Sequence, residues 1–145
     1  PQSCKINQGD VIKVHFGFIN GQKFTTRNAM PDGFTPVDFD ITYDCGDTSK
    51  IKNSLQMRID GTTGVVDQYN LVARRRSSDN VPDVGIRIEN LGGGVANIPF
   101  QNGILPVDPS GHGTVNMRAW PVNLVGGELE TGKFQGTATI TVIVR

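Results

Sequence analysis

A chain of 145 residues is the size of one ordinary domain, and its 14 lysines and arginines balance its 14 aspartates and glutamates. Zero net charge argues against a nonspecific nucleic-acid binder, which needs a basic surplus, and no apolar run approaches the roughly 20 residues that cross a membrane. The 18 glycines and 8 prolines do not suit long helices and favour short strands joined by turns.

The two cysteines lie far apart in the sequence, at Cys4 and Cys45. A tetrahedral metal site would need two further ligands, and the histidines, His15 and His112, lie in no matching motif. We therefore predict a single disulfide and no metal site, and a disulfide implies an oxidising compartment. The alternative is a pair of buried free thiols.

Apolar and polar residues alternate in short runs along the chain, which predicts β-strands with one buried face. These runs cover residues 11–18, 37–45, 55–60, 69–73, 84–89, 115–120 and 134–144. Turn signals such as Asn20-Gly21 and Asn102-Gly103 separate them. No long stretch has apolar residues at helical spacing, and no repeat or linker divides the chain. The pattern predicts one antiparallel β-sandwich.

The last run, residues 134–144, contains neither a charge nor a proline. A strand with this composition lacks the features that prevent pairing at a free sheet edge. We therefore expect it either to lie inside a sheet or to pair with another chain.

The order and spacing of these features resemble the pilin subunits of chaperone–usher fimbriae of Gram-negative bacteria. The resemblance rests on Cys4, the strand that ends at Cys45, the glycine-containing run 84–88 and the closing segment 126–139. It implies a single pilin domain over residues 1–145. Its fold would be an immunoglobulin-like antiparallel β-sandwich that lacks its seventh strand. A donor strand completes such a domain in trans.

The resemblance also implies a hydrophobic groove between the first and last strands, where the donor strand binds. Alternate apolar residues of the two strands would line this groove: Ile12, Val14, Phe16, Phe18, Phe134, Ala138, Ile140, Val142 and Val144. The terminal carboxylate of Arg145 would anchor the chain to its chaperone.

The partners implied are a periplasmic chaperone, an outer-membrane usher and neighbouring pilus subunits. The protein would pass through the periplasm to an extracellular fimbrium, and no cofactor is implied. Members of the family carry an N-terminal donor extension, whereas only Pro1, Gln2 and Ser3 precede Cys4. We expect either a structural subunit whose extension has been removed, which we favour, or the pilin domain of a two-domain tip adhesin.

A self-contained glycan-binding sandwich is the competing hypothesis, with Arg74–Arg76 and Trp120 as candidate contacts. The simpler interpretations are a solvated strand end for the arginines and a partly covered edge residue for the tryptophan. A host glycan is expected as a ligand only if the protein is an adhesin. A complete extracellular immunoglobulin-like domain without a groove is a third hypothesis.

We expect no enzyme. A catalytic nucleophile needs a neighbouring base, and neither His15 nor His112 lies in a motif that supplies this pair. The run Gly92-Gly93-Gly94 lacks the lysine that follows a phosphate-binding loop.

Overall fold

The computed structural model describes residues 4–9, 12–49, 54–63, 67–93 and 97–144. The strands within these ranges are β1 (Lys5–Ile6), β2 (Val37–Asp44), β3 (Leu55–Gly61), β4 (Leu71–Arg75), β5 (Pro82–Asn90), β6 (Gly103–Leu105), β7 (His112–Asn123) and β8 (Ala138–Val144). The helical elements of the same ranges are short 3₁₀ turns at Asn7–Gly9 and Gly21–Lys23.

The strands form two antiparallel sheets that share one core. One sheet has five strands in the order β1-β2-β7-β5-β4, and the other has three in the order β6-β3-β8. Buried side chains from both sheets form a single cluster, which includes Ile41 and Met117 from the larger sheet and Met57 and Ile59 from the smaller one. The predicted antiparallel β-sandwich is confirmed.

Strand β2 shows why the alternation predicts this fold. Ile41 and Tyr43 are buried, whereas Asp40 and Asp44 are exposed. Successive side chains of a strand point to opposite faces, so a period of two places one set in the core and the other in water. The Tyr43 hydroxyl keeps a polar contact at the edge of the core, where it accepts a hydrogen bond from the backbone N–H of Asp108 at 2.6 Å.

The predicted disulfide between Cys4 and Cys45 is present, and the alternative of two free thiols is wrong. The bond joins Cys4, just before β1, to Cys45, just after β2. The backbones of these two strands also pair with each other, at Ile6 and Tyr43. It therefore attaches the start of the chain to the edge of the five-stranded sheet.

The strand predicted over residues 11–18 is wrong for its described part, since residues 12–20 form no strand. The alternation of this segment holds from Ile12 to Phe16 and is interrupted at Gly17, whose φ is +72°. A positive φ does not belong to extended backbone, so the side-chain period of two cannot continue through this residue.

The last predicted run is a strand only in its second part. The N–H of Gln135 donates to the carbonyl of Ala73 on β4 at 2.9 Å, and from Ala138 onwards the chain pairs with β3 in the other sheet. The run therefore crosses between the sheets. Strands β1 and β6 were not predicted, because they are too short to show a period.

Among the described residues, no helix has the length and apolar character needed to cross a membrane.

Candidate functional site

An apolar groove lies between the segment 12–20 and the chain that leads into β8. It consists of two adjoining cavities, of about 590 Å³ and about 860 Å³, called here the first and second cavity. The first cavity lies beside β8, and the second lies toward the loop 126–134. Both are open depressions in the side of the sandwich.

The first cavity penetrates to the hydrophobic core. Its floor consists of core side chains from both sheets and from the loop before β6: Ile41, Ile59, Leu71, Ile86, Ile88 and Phe100. Its rims are formed by Ile12 and Val14 on one side and by Ala138 and Ile140 on the other. An occupant of this cavity would therefore complete the core of the sandwich.

Two phenylalanines meet where the cavities adjoin. The rings of Phe16 and Phe134 stack with their centroids 6.0 Å apart and their planes at 27°, and both residues border both cavities. Phe34 also packs against Phe16, with ring centroids 6.1 Å apart. This contact joins the two rims of the groove.

Both rims carry unpaired backbone. Strand β8 is at the edge of its sheet, with β3 as its partner among the described strands. Within the described part of the chain, residues 12–19 make no backbone–backbone hydrogen bond. An extended chain placed between the rims would find donors and acceptors on both sides.

The second cavity combines apolar walls with charged residues. Phe24, Val84 and Leu129 supply apolar contacts, and Arg74, Glu128, Glu130 and Lys133 are also among its lining residues. The groove thus has an apolar end beside Ile140 and a mixed end beside the loop 126–134.

Six of the nine residues predicted to line the groove border its first cavity. These are Ile12, Val14, Phe16, Phe134, Ala138 and Ile140. Val142 is half-buried against the core, and Phe18 stands on the rim of the second cavity with 95% of its surface exposed. The side chain of Val144 and the whole of Arg145 lie outside the described residues.

Sequence reasoning missed the residues of the floor, such as Leu71, Ile86 and Phe100. The alternation marks Leu71 and Ile86 as inward-facing, but it does not say which inward-facing residues are left uncovered. Which residues are left uncovered depends on which strands lie at the edges of the two sheets. Residues 128–133, which form the polar wall of the second cavity, show no alternation of apolar and polar residues from which this wall could be predicted.

The arginine run is held by contacts within the chain. The Arg74 guanidinium binds both carboxylate oxygens of Asp83, at 3.0 and 2.7 Å, and the Asp83 side chain is 1% exposed. Arg75 donates to the carbonyl of Asn80, and Arg76 pairs with Asp79 at 2.7 Å. The predicted solvated strand end is thus wrong for Arg74, which forms a partly buried ion pair with a buried carboxylate.

Arg74 also attaches the loop that leads into the last strand. Its Nη1 donates to the carbonyl of Glu130 at 2.8 Å. The Glu130 carboxylate accepts hydrogen bonds from the N–H and the hydroxyl of Ser77, and the N–H is the main reason why the pKa of Glu130 lies below its ordinary value. These contacts position one wall of the second cavity.

The remaining candidate residues lie elsewhere on the surface. His112 is exposed, with its ring between the Asp44 carboxylate and the Gly46 carbonyl, each at 3.0 Å. Trp120 is partly covered and lies opposite Arg87 of β5. The described residues contain no cluster of three or more histidine, cysteine or acidic side chains that could hold a metal ion.

Comparison with known proteins points to one group. The family model described as "Fimbrial protein" matches residues 1–145. The fimbrial-like protein YraK of Escherichia coli K12 is 99% identical over 145 residues, which cover all of this chain and 40% of that protein. The type 1 fimbrin D-mannose specific adhesin of Salmonella typhimurium is 27% identical over 151 residues, covering 98% of this chain and 41% of the adhesin. The chain thus spans about two fifths of the length of these relatives.

The crystal structure of the P pilus rod subunit PapA has a similar fold. The TM-score is 0.68 at 16% sequence identity, and the match covers 99% of this chain and 93% of that one.

Proposed function

Because the chain belongs to the fimbrial protein family, we propose that it is a non-catalytic structural subunit of a chaperone–usher pilus, completed by a donor strand that binds in its groove. Family membership confirms the resemblance found in the sequence. It supports, as part of the proposal, an extracellular pilus in which the protein associates with other subunits. The likeness to PapA confirms the immunoglobulin-like sandwich of pilins.

One observation supports strand completion above all others. The groove opens onto the hydrophobic core between residues 12–19, which make no backbone–backbone hydrogen bond within the described part of the chain, and the side of β8 that faces away from β3. A β-strand has the chemistry to fill such a gap, because its backbone bonds to both rims while alternate side chains enter the core. Each buried aliphatic side chain of the donor would contribute roughly 1.5–3 kcal/mol.

The proposal includes the partners that would supply the strand. A periplasmic chaperone would cover the groove first, and the extension of a neighbouring subunit would replace it at the outer-membrane usher. A chain with this much uncovered core and a free edge strand needs protection from aggregation before assembly, which supports the need for a chaperone. Anchoring of the chaperone by the Arg145 carboxylate remains part of the proposal.

Thermal unfolding with an added peptide tests strand completion. The probe is a synthetic peptide of about twelve residues in which valine or isoleucine alternates with threonine or serine. We expect it to raise the melting temperature, whereas a peptide of the same composition with its apolar residues in one block should have little effect. Equal melting temperatures with and without the alternating peptide would overturn the proposal.

A matched pair of variants locates the binding. Ala138 borders the first cavity, and the adjacent Thr139 is exposed on the other face of β8. We expect A138K to abolish the peptide-induced rise in melting temperature because an ammonium group would enter the apolar groove. T139K carries the same charge and should retain the rise.

A second candidate function is the anchoring pilin domain of a tip adhesin. It is favoured by the match to the mannose-specific adhesin, which runs over nearly the whole of this chain. Immunogold labelling of intact fimbriae with an antibody against this domain separates the two functions. Label confined to fibre tips would support the adhesin, and label along the shaft would support the structural subunit.

A further inference from the structure

We propose that Gly17 is a hinge for strand binding, and that Phe18 turns from solvent into the groove when a donor strand binds. The inference rests on the proposed function, since it describes how the rim at residues 12–20 becomes a strand. It adds Gly17 as a positioning residue and Phe18 as a contact of the bound donor.

The side-chain pattern of the rim changes by one residue at Gly17. Before it, Val14 and Phe16 are half-buried against the core and His15 is exposed. After it, Phe18 is 95% exposed and Ile19 packs against the core instead. Even-numbered residues therefore face the core before Gly17, and an odd-numbered residue faces it afterwards.

The conformation of Gly17 accounts for this change. Its φ of +72° lies in the left-handed region, which L side chains rarely adopt. A Cβ added there would meet nothing within 4 Å. A side chain at this position would therefore meet no steric obstacle. Glycine is favoured here by its backbone conformation and not by crowding.

Strand pairing would reverse the change. To hydrogen-bond with a donor along residues 12–18, the rim must be extended throughout, so Gly17 must leave the left-handed region. Alternation then continues without interruption and places Phe18 on the face of Val14 and Phe16.

That face borders the second cavity, whose volume of about 860 Å³ leaves room for a phenyl ring. Ile19 would move outward in exchange, so a half-buried isoleucine is replaced by a larger aromatic side chain. Burial of the ring favours the strand-bound state.

Tryptophan fluorescence tests the movement of residue 18. The chain has a single tryptophan, Trp120, so F18W combined with W120F places the fluorophore at the rim. We expect the alternating peptide to shift its emission to shorter wavelength and to reduce quenching by acrylamide. The matched control is I104W combined with W120F. Ile104 is also exposed, at 54%, but lies on β6 at the far edge of the smaller sheet, and its emission should not change.

Glycine substitution tests the hinge. Gly33 has nearly the same conformation as Gly17, with φ +70° and nothing within 4 Å of an added Cβ, but it lies in a turn outside the groove lining. G17A and G33A should both lower the melting temperature of the free chain. Strand binding extends residue 17 and so removes the left-handed strain in G17A, whereas residue 33 keeps its conformation and its strain in G33A. G17A should therefore bind a dye-labelled peptide about 5–30-fold more tightly than G33A does.

The outcomes separate the hinge from the proposed function. A rise in melting temperature without an emission change in the F18W chain would overturn the hinge and leave strand completion standing. Equal peptide affinities of G17A and G33A would do the same. Absence of any peptide effect on melting temperature would overturn both.

Discussion

The side-chain amide of Asn123 connects the end of β7 to two loops beside the groove. Its Nδ2 donates to the carbonyls of Phe24 and Gly127, and its Oδ1 accepts from the N–H groups of Val125 and Gly126. The residue is fully buried. These backbone groups have a partner in the protein only as long as the amide is present.

We expect N123A to lower the free energy of unfolding by about 3 kcal/mol, because several buried backbone groups would lose their partner together. Urea denaturation measures the change. N116A is the control, since Asn116 is an exposed residue of the same strand, and its effect should stay within about 0.5 kcal/mol. Similar losses in the two variants would show that the buried amide has no special role.

Glu130 gives the stability a dependence on acid pH. Its pKa is lowered in the folded protein, chiefly by the hydrogen bond from the Ser77 N–H. The ionised carboxylate is therefore favoured by folding, and the stabilisation is full above the ordinary glutamate pKa. It is lost as the pH falls through the lowered value.

The melting temperature of the wild type should fall more steeply between about pH 5 and pH 3 than that of E130Q, which has no carboxylate to protonate at this position. E128Q is the control, because among the described contacts no hydrogen bond to the Glu128 carboxylate occurs. An identical pH profile for wild type and E130Q would contradict the role of Glu130.

At the scale of elements, β6 depends on the absence of a side chain at Gly103. An added Cβ would overlap the carbonyl oxygen of Pro99 and would lie 2.8 Å from Cγ2 of Ile59 on the partner strand. Backbone on one side and a paired strand on the other leave no direction in which the methyl group fits.

We expect G103A to destabilise the fold by about 2–3 kcal/mol through overpacking. G92A is the matched control, since the nearest atom to its Cβ would be Oδ1 of Asn90 at 3.8 Å, an ordinary contact. Chemical denaturation of both variants checks the prediction, and a G103A protein as stable as G92A would show that β6 shifts without cost.

At the scale of the whole molecule, the disulfide limits the freedom of the unfolded chain. Cys4 and Cys45 are 41 residues apart, and the chain-entropy relation gives about 4 kcal/mol for a loop of this size. We expect the double variant C4S/C45S to unfold at correspondingly lower urea concentration than the oxidised protein. A reductant should lower the stability of the wild type and leave the double variant unchanged. A loss below about 1 kcal/mol would show that the sheet pairing of β1 suffices.

The alternation of side chains by itself determined the strands that have one face in the core and one in water. Strands β2 and β3 and the first part of β7 follow it, because the polarity of each residue matches the face on which it lies. The disulfide was likewise determined, since two distant cysteines without further ligands leave few alternatives. Six of the nine apolar residues predicted to line the groove border its first cavity, since both segments alternate with a period of two in the sequence.

Only the folded structure shows where the side-chain period is interrupted and which core residues form the floor of the groove. Gly17 takes a positive φ although the sequence around it alternates as in a strand, because none of the described strands pairs with this segment to keep it extended. Arg74 pairs with the buried carboxylate of Asp83 because β4 and β5 lie side by side. The floor of the groove is likewise set by strand order. Each of these depends on how separate segments of the chain lie against one another, and a local pattern of polarity contains no information about that.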